Sequence, residues 1–158
     1  MRFLYLNITA LALAGLALTV TGCSSNNTGK IIGKWKISAP PEKDPKTKEE
    51  FEAMGKMGLF VFIEFKADNA LLLGLGSDKP ETLDMLKALA PKGKEPKTSW
   101  EAKYKLLPGD KVEVYDMKDD ETKKMFKGDK ARSDIIITGD EMTIKDPDGS
   151  MTKLTRMK

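Results

Sequence analysis

Apolar residues along most of this chain recur at every second position, in short runs broken by turn-forming residues, and that rhythm predicts β-strands. Trp100, Ala102, Tyr104 and Leu106 alternate with Glu101, Lys103 and Lys105, the pattern of a strand with one wet face. From Lys30 to Ser38, Ile31, Gly33, Trp35 and Ile37 fall on one face and Ile32, Lys34 and Lys36 on the other, until Ala39-Pro40-Pro41 ends the run. Gly58 to Lys66 is dense in β-branched and aromatic residues and reads as a well-buried strand. Asp68-Asn69 is expected to turn it into a partner from Leu71 to Leu75, because both side chains tolerate left-handed backbone. Gly74 and Gly76 are expected to mark a bulge or bend there. The second half reads as a meander. Leu107-Pro108-Gly109-Asp110 turns into Lys111 to Met117, and Arg132 to Thr138 is centred on Ile135-Ile136-Ile137. Gly139-Asp140 leads into Glu141 to Lys145, and Asp146-Pro147-Asp148-Gly149 leads into Ser150 to Lys158.

The period changes in three places. Asp44 can cap a short helix with Pro45 at its first position and Phe51 and Met54 as its apolar contacts. Asp78 and Glu81 have capping-pair spacing before the stripe Leu83, Leu86 and Ala90, widened by Met85 and Leu89 and stopped by Pro91 and Gly93. The charged stretch from Lys118 to Ala131 leaves room for one helical turn around Met125 and Phe126. Eight short strands with tight turns predict a mainly β fold, an antiparallel barrel or strongly curled sheet with one or two short inserted helices.

The N-terminus follows no such rhythm. Arg2 is followed by a run from Phe3 to Val20 that is apolar except for Asn7, Thr9 and Thr19. Charged start, apolar core and small residues at the end form the layout of a secretory leader. The run is also long enough to span a bilayer, which takes roughly 17–25 helical residues. However, no basic cluster follows it, and Gly22 offers the small side chain a peptidase needs. Val20-Thr21-Gly22-Cys23 resembles a bacterial lipobox, and Cys23 is the chain's single cysteine, so it has no internal disulfide partner. That resemblance implies removal of residues 1–22 as a signal peptide and acylation of Cys23 by a diacylglycerol and a further fatty chain such as palmitate. One acyl chain holds a protein at a membrane only marginally, whereas two or more hold it stably. Ser24 after the cysteine resembles the sorting signal for the outer membrane, with the domain facing the periplasm. Residues 23–29, polar and without large apolar side chains, read as a lipidated tether, and 30–158 as one β domain.

The chain has 27 basic and 24 acidic residues, a net charge of +3, and no histidine. The signs are interspersed; Asp119-Asp120-Glu121, with Lys123 and Lys124 close behind, reads as a solvated face. Without a one-signed stripe, nucleic acid is not an expected partner. Without histidine, a Ser-His-Asp triad, a His-based zinc site and a Cys-His pair are all excluded. Glu64, Glu101, Glu113 and Asp116 could supply paired carboxylates of the kind glycosidases use, but lysines share or adjoin their faces and solvated sheet surface is the expectation. Asp146-Pro147-Asp148-Gly149-Ser150 resembles part of a calcium loop but lacks the closing glutamate, so a hairpin turn is expected. Met54 and Met57 could be thioether ligands for Cu(I), but methionine also fills irregular cores. No enzyme activity, cofactor or metal is expected.

Gly33-Lys34-Trp35 resembles the G-x-W signature that opens lipocalins and fatty-acid-binding proteins. The hairpin leading into Leu154-Thr155-Arg156 is similar to that of bacterial lipocalin-like lipoproteins. The resemblance covers about residues 30–158 and implies that Trp35 closes one barrel end beneath Arg156, with Gly33, Trp35 and Arg156 as structural residues. The Thr-Asp-Tyr signature of the middle strands is missing. The expected inward lining is Trp35, Val61, Ile63, Leu73, Trp100 and Tyr104, joined by Val114 and Ile136. The expectation is a membrane-anchored envelope lipoprotein, lipocalin-like, that binds a small apolar molecule. The alternative is a filled barrel acting as a structural module or as a partner of another envelope protein.

Overall fold

The computed structural model describes residues 27–40, 45–79, 81, 82, 84, 85 and 98–158. The leader, Cys23, the Asp44 cap and most of the stripe from Leu83 to Gly93 lie outside these. Eight strands follow one another: β1 Gly33–Ala39, β2 Leu59–Phe65, β3 Ala70–Ser77, β4 Ser99–Leu107, β5 Lys111–Tyr115, β6 Ala131–Thr138, β7 Glu141–Lys145 and β8 Met151–Arg156. Helix α1, Pro45–Lys56, joins β1 to β2, and α2, Asp120–Met125, lies between β5 and β6. Each strand pairs antiparallel with the next, and β8 returns to β1 to close the barrel, Trp35 facing Arg156 and Ile37 facing Leu154. Closure leaves no free sheet edge to recruit another chain.

An up-and-down order fixes what lies at each end. The β2–β3, β4–β5 and β6–β7 turns and the start of β1 share one end, called here the plugged end. Both helices, the β3–β4 connection and the β7–β8 turn share the other, the helical end. Tight turns at the plugged end follow from local chemistry. Asn69 takes a φ of 64°, and the Asp68 carboxylate accepts from the Ala70 amide at 3.1 Å.

Alternation places the core inside. Trp35, Ile63, Phe65, Leu71, Ala102, Tyr104, Val112, Val114, Ile135, Met142 and Leu154 point inward and are buried. The rings of Phe65 and Tyr104 meet edge to face at 5.0 Å, and the Tyr104 hydroxyl donates to the Lys66 carbonyl at 2.8 Å. Burial of the Tyr104 phenol, with the Asp68 charge nearby, raises its pKa. An eight-stranded barrel is about wide enough for side chains to fill or for one small ligand. Here bulky residues from all eight strands meet in it.

Three expectations require correction. Ile136 does not line the interior: it points outward and is 64% exposed, while Ile135 and Ile137 face inward. The even-numbered neighbours Arg132 and Asp134 share the outer face with it. Gly74 and Gly76 mark no bulge, since the β2–β3 register runs unbroken from Leu59↔Ser77 to Phe65↔Leu71. They face Phe62 and Phe60, whose rings lie outside the barrel across the glycine backbone. A Cβ on Gly74 or Gly76 would stand 2.4 Å from a ring carbon, so only glycine seats them. The Lys34 and Lys36 ammonium groups cover the same rings at 3.7 Å and 4.3 Å. Asn27 does not belong to a free tether, because its side chain is buried in the plugged end. The stretch Asp119-Asp120-Glu121 is the largely solvated face expected, with Asp120 and Glu121 exposed, and it has local roles besides. Asp119 caps α2, accepting from the Thr122 amide at 2.8 Å and its hydroxyl at 2.7 Å, and Glu121 receives a tryptophan side chain.

Candidate functional site

Three features bear on function: the plugged end, the interior with its surface clefts, and the charged pairs on the outer wall.

At the plugged end, residues 27–30 form a turn in which the Ile31 amide donates to the Asn27 carbonyl at 3.1 Å. The Asn27 side-chain amide donates to Asp110 at 3.0 Å and to the Ile135 carbonyl at 3.2 Å, tying this turn to β5 and β6. Trp35 is wholly buried beneath it, and its indole N–H donates to the Ile31 carbonyl at 2.8 Å. The Arg156 guanidinium lies 4.0 Å from the centre of the Trp35 ring. It donates to the Ile32 carbonyl at 2.9 Å and the Lys30 carbonyl at 2.6 Å, with Asp140 3.4 Å from its Nε. Gly33 is needed here on two counts. Its φ is +131°, and a Cβ would stand 2.7 Å from Arg156 Nη1. Thus three successive carbonyls, of Lys30, Ile31 and Ile32, end on two side chains, and the buried one, of Ile31, would be costly to leave without a donor.

The lining residues read from the sequence divide by depth. Trp35, Ile63 and Tyr104 are buried in the core, with Val114, whereas Val61, Leu73 and Trp100 are half-buried toward the helical end. The Trp100 indole donates to Glu121 of α2 at 3.2 Å. Phe126, the residue after α2, packs against the core, and Met117 is buried in it. Two clefts stand out among the described residues. One of about 140 Å3 lies along β3 and β4, among Leu72, Glu101, Lys103, Asp116 and Lys118. The other, about 260 Å3, lies at the plugged end between Asn27, Lys30, Asp110, Asp134 and Ile136. Outward-facing side chains line both in part. Both fall below the roughly 300–1,000 Å3 of carrier and ligand pockets.

The candidate carboxylates are dispersed over cationic partners. Glu101 pairs with Lys118 at 3.7 Å and Asp116 with Lys103 at 2.9 Å, which lowers the Asp116 pKa and raises that of Lys103. Glu113 is the exception to a solvated surface. It points outward yet is only 1% exposed, held by Lys105 at 2.8 Å and by Arg132 from the adjoining strand. Hydrogen bonds from Lys105 and Arg132 hold its carboxyl down to about 2. A carboxylate so held can neither take up nor release a proton near neutral pH. Asp146 and Asp148 are likewise absorbed by their hairpin. Ser133 donates to Asp146 at 2.7 Å, and the Ser150 hydroxyl and amide donate to Asp148 at 2.6 and 2.8 Å. With Lys127 at 3.1 Å, those bonds lower the Asp148 pKa. Among the described residues no three acidic or thiol side chains gather into a metal cluster.

Neither a protein-family model nor a curated protein matches this chain.

Proposed function

We propose that the chain is a lipid-anchored protein of the cell envelope whose filled, lipocalin-like barrel serves as a non-catalytic structural or protein-interaction module. Cleavage before Cys23 and acylation of its thiol supply the anchor, and Ser24 directs the protein to the outer membrane, facing the periplasm. The lipobox-like Val20-Thr21-Gly22-Cys23 supports the address. The arrangement of Gly33, Trp35 and Arg156 supports the lipocalin resemblance.

The observation that favours a module over a carrier is the filling of the barrel. Phe65, Tyr104, Ile135, Met142 and Leu154 meet Trp35 in one continuous core, and the clefts outside it are small. The test is extraction from native membranes followed by intact and lipid mass spectrometry. The expected result is acyl mass on the Cys23 peptide and no apolar molecule at stoichiometric amount. A stoichiometric apolar molecule would replace the module with a carrier. A Cys23→Ser form that matures and fractionates unchanged would remove the anchor.

One observation favours the carrier as a second reading. Ile37, Val61, Leu73 and Trp100 share the inward face yet stay half-buried, leaving apolar surface toward the helical end.

A further inference from the structure

We infer that the plugged end of the barrel rests on the lipid surface, with Ile32 and Ile136 seated at the headgroup boundary. This rests on acylation of Cys23 and adds an orientation and a contact surface to it.

The first argument is length. Asn27 is 4% exposed and bonded to Asp110 and the Ile135 carbonyl, so the chain enters the domain at a point fixed on the plugged end. Cys23 stands four residues before it, a reach of at most about 14 Å when fully extended. Strands of this length, leaning about 40° to the axis, make a barrel about 20 Å tall. The anchor therefore holds the plugged end near the bilayer and keeps the helical end away from it.

The second argument is the character of that end. Ile136 is 64% exposed, two residues before the end of β6, and Ile32 is 40% exposed immediately before β1. Both flank the chain entry, and Ile136 lines the cleft shared with Asn27 and Lys30. Two β-branched aliphatic side chains left in water have no role in the barrel itself. At a bilayer they enter the boundary layer, as the apolar faces of interfacial helices do. Asp134 is bound by Lys111, Asp140 faces Arg156 and Asp110 holds Asn27. Lys30, Lys66 and Lys158 lie on the same end, offset in part by the exposed Asp68 and Glu141, so the reach of the anchor and the two isoleucines select this face rather than its charge.

The test uses acylated protein in vesicles of phosphatidylethanolamine and phosphatidylglycerol containing nitroxide-labelled lipid. Because the native thiol is consumed by the anchor, Ile32→Cys, Ile136→Cys, Met125→Cys and Met151→Cys each provide a single site for a fluorescent label. Met125 and Met151 are exposed at the helical end. Nitroxide lipid should quench the labels at 32 and 136 several-fold more than those at 125 and 151, with blue-shifted emission at the first two. Equal quenching at all four positions, or stronger quenching at 125 and 151, on protein whose mass shows acyl chains overturns the orientation and leaves the anchor standing. Mature protein without acyl mass overturns both.

Discussion

The chain's two tryptophans mark the two ends of the barrel, and their surroundings could hardly differ more. Trp35 is wholly buried, its indole nitrogen bonded to a backbone carbonyl and its face covered by Arg156. The groups around it come from the N-terminal turn, β1 and β8, with Asn27 tying that turn to β5 and β6. Trp100 is half-buried and reaches a carboxylate on a six-residue helix. Among the described residues, the large apolar side chains exposed at its end are all methionines: Met57, Met85, Met125 and Met151. Free energy is thus concentrated where distant parts of the chain converge. The helical end is a set of local connections that can change without loss of the barrel. Variation is expected at that end, since the buried groups around Trp35 at the plugged end leave no residue to spare.

The largest effect should come from the tryptophan pair itself. Trp35→Ala is expected to lower unfolding free energy by about 3–5 kcal/mol, the usual cost of emptying a large buried aromatic site. Trp100→Ala should cost about 1–2 kcal/mol, an ordinary value for a partly exposed position. Chemical denaturation of the two variants side by side checks this, and equal losses would erase the distinction between the ends.

A second test probes the wall between them. Gly74→Ala places a methyl group against the Phe62 ring, which Lys34 also covers. Alanine is intrinsically the better strand residue, by about 0.5–1 kcal/mol. Overpacking of about 1–3 kcal/mol should outweigh that gain, so the variant is destabilised. Adding Phe62→Ala should make the pair strongly non-additive, since it removes the clash; additive losses would show that the ring does not depend on this glycine.

These tests also show how much the sequence disclosed. Alternation located the strands that have one wet face, and β4 is the plainest case. It failed where both faces are apolar. In Ile135-Ile136-Ile137 three identical residues carry no phase, and only Arg132 and Asp134 at even positions identify Ile136 as outward. The run from Gly58 to Lys66 reads as well buried, but nothing in it tells what covers Phe60 and Phe62 on the outer face. The signal was Gly74 and Gly76, spaced by two on the partner strand to match them. Alternation puts Gly33 and Trp35 on one face, but no periodicity reaches Arg156; only the lipocalin resemblance sets it over Trp35, and closure of β8 on β1 brings the two together. Asn27 was hidden by its polar neighbours, since a buried amide and a tether residue have the same composition. The burial of Glu113 depends on cations contributed by two flanking strands, which pairing alone reveals.

That carboxylate gives an acid-limb test. Its pKa is depressed from an ordinary value of 4.5 to about 2, so its contribution to stability is complete above the ordinary value and lost as pH falls toward the depressed one. Glu113→Gln should be less stable than the parent at pH 7. It should also show a shallower loss of stability between those two values, followed by urea midpoints across the range. Parallel curves would mean that the ion triad with Lys105 and Arg132 adds nothing to the fold.

The smallest effect belongs to the helical end. A six-residue helix cannot hold itself together in water, because nucleation costs more than so few hydrogen bonds return. The α2 segment therefore depends on the Asp119 cap, the packing of Phe126, the Lys127–Asp148 pair and the bond from Trp100 to Glu121. Glu121→Ala removes only the last of these, an exposed hydrogen bond worth about 0.5–1.5 kcal/mol. Global stability should hardly move. Amide exchange over residues 120–126 should quicken and Trp100 emission should shift, while exchange in β1 and β8 stays as slow as before. If the variant instead loosened β1 and β8 together with α2, the two ends would be one cooperative unit, and the helical end could not change without disturbing the plug.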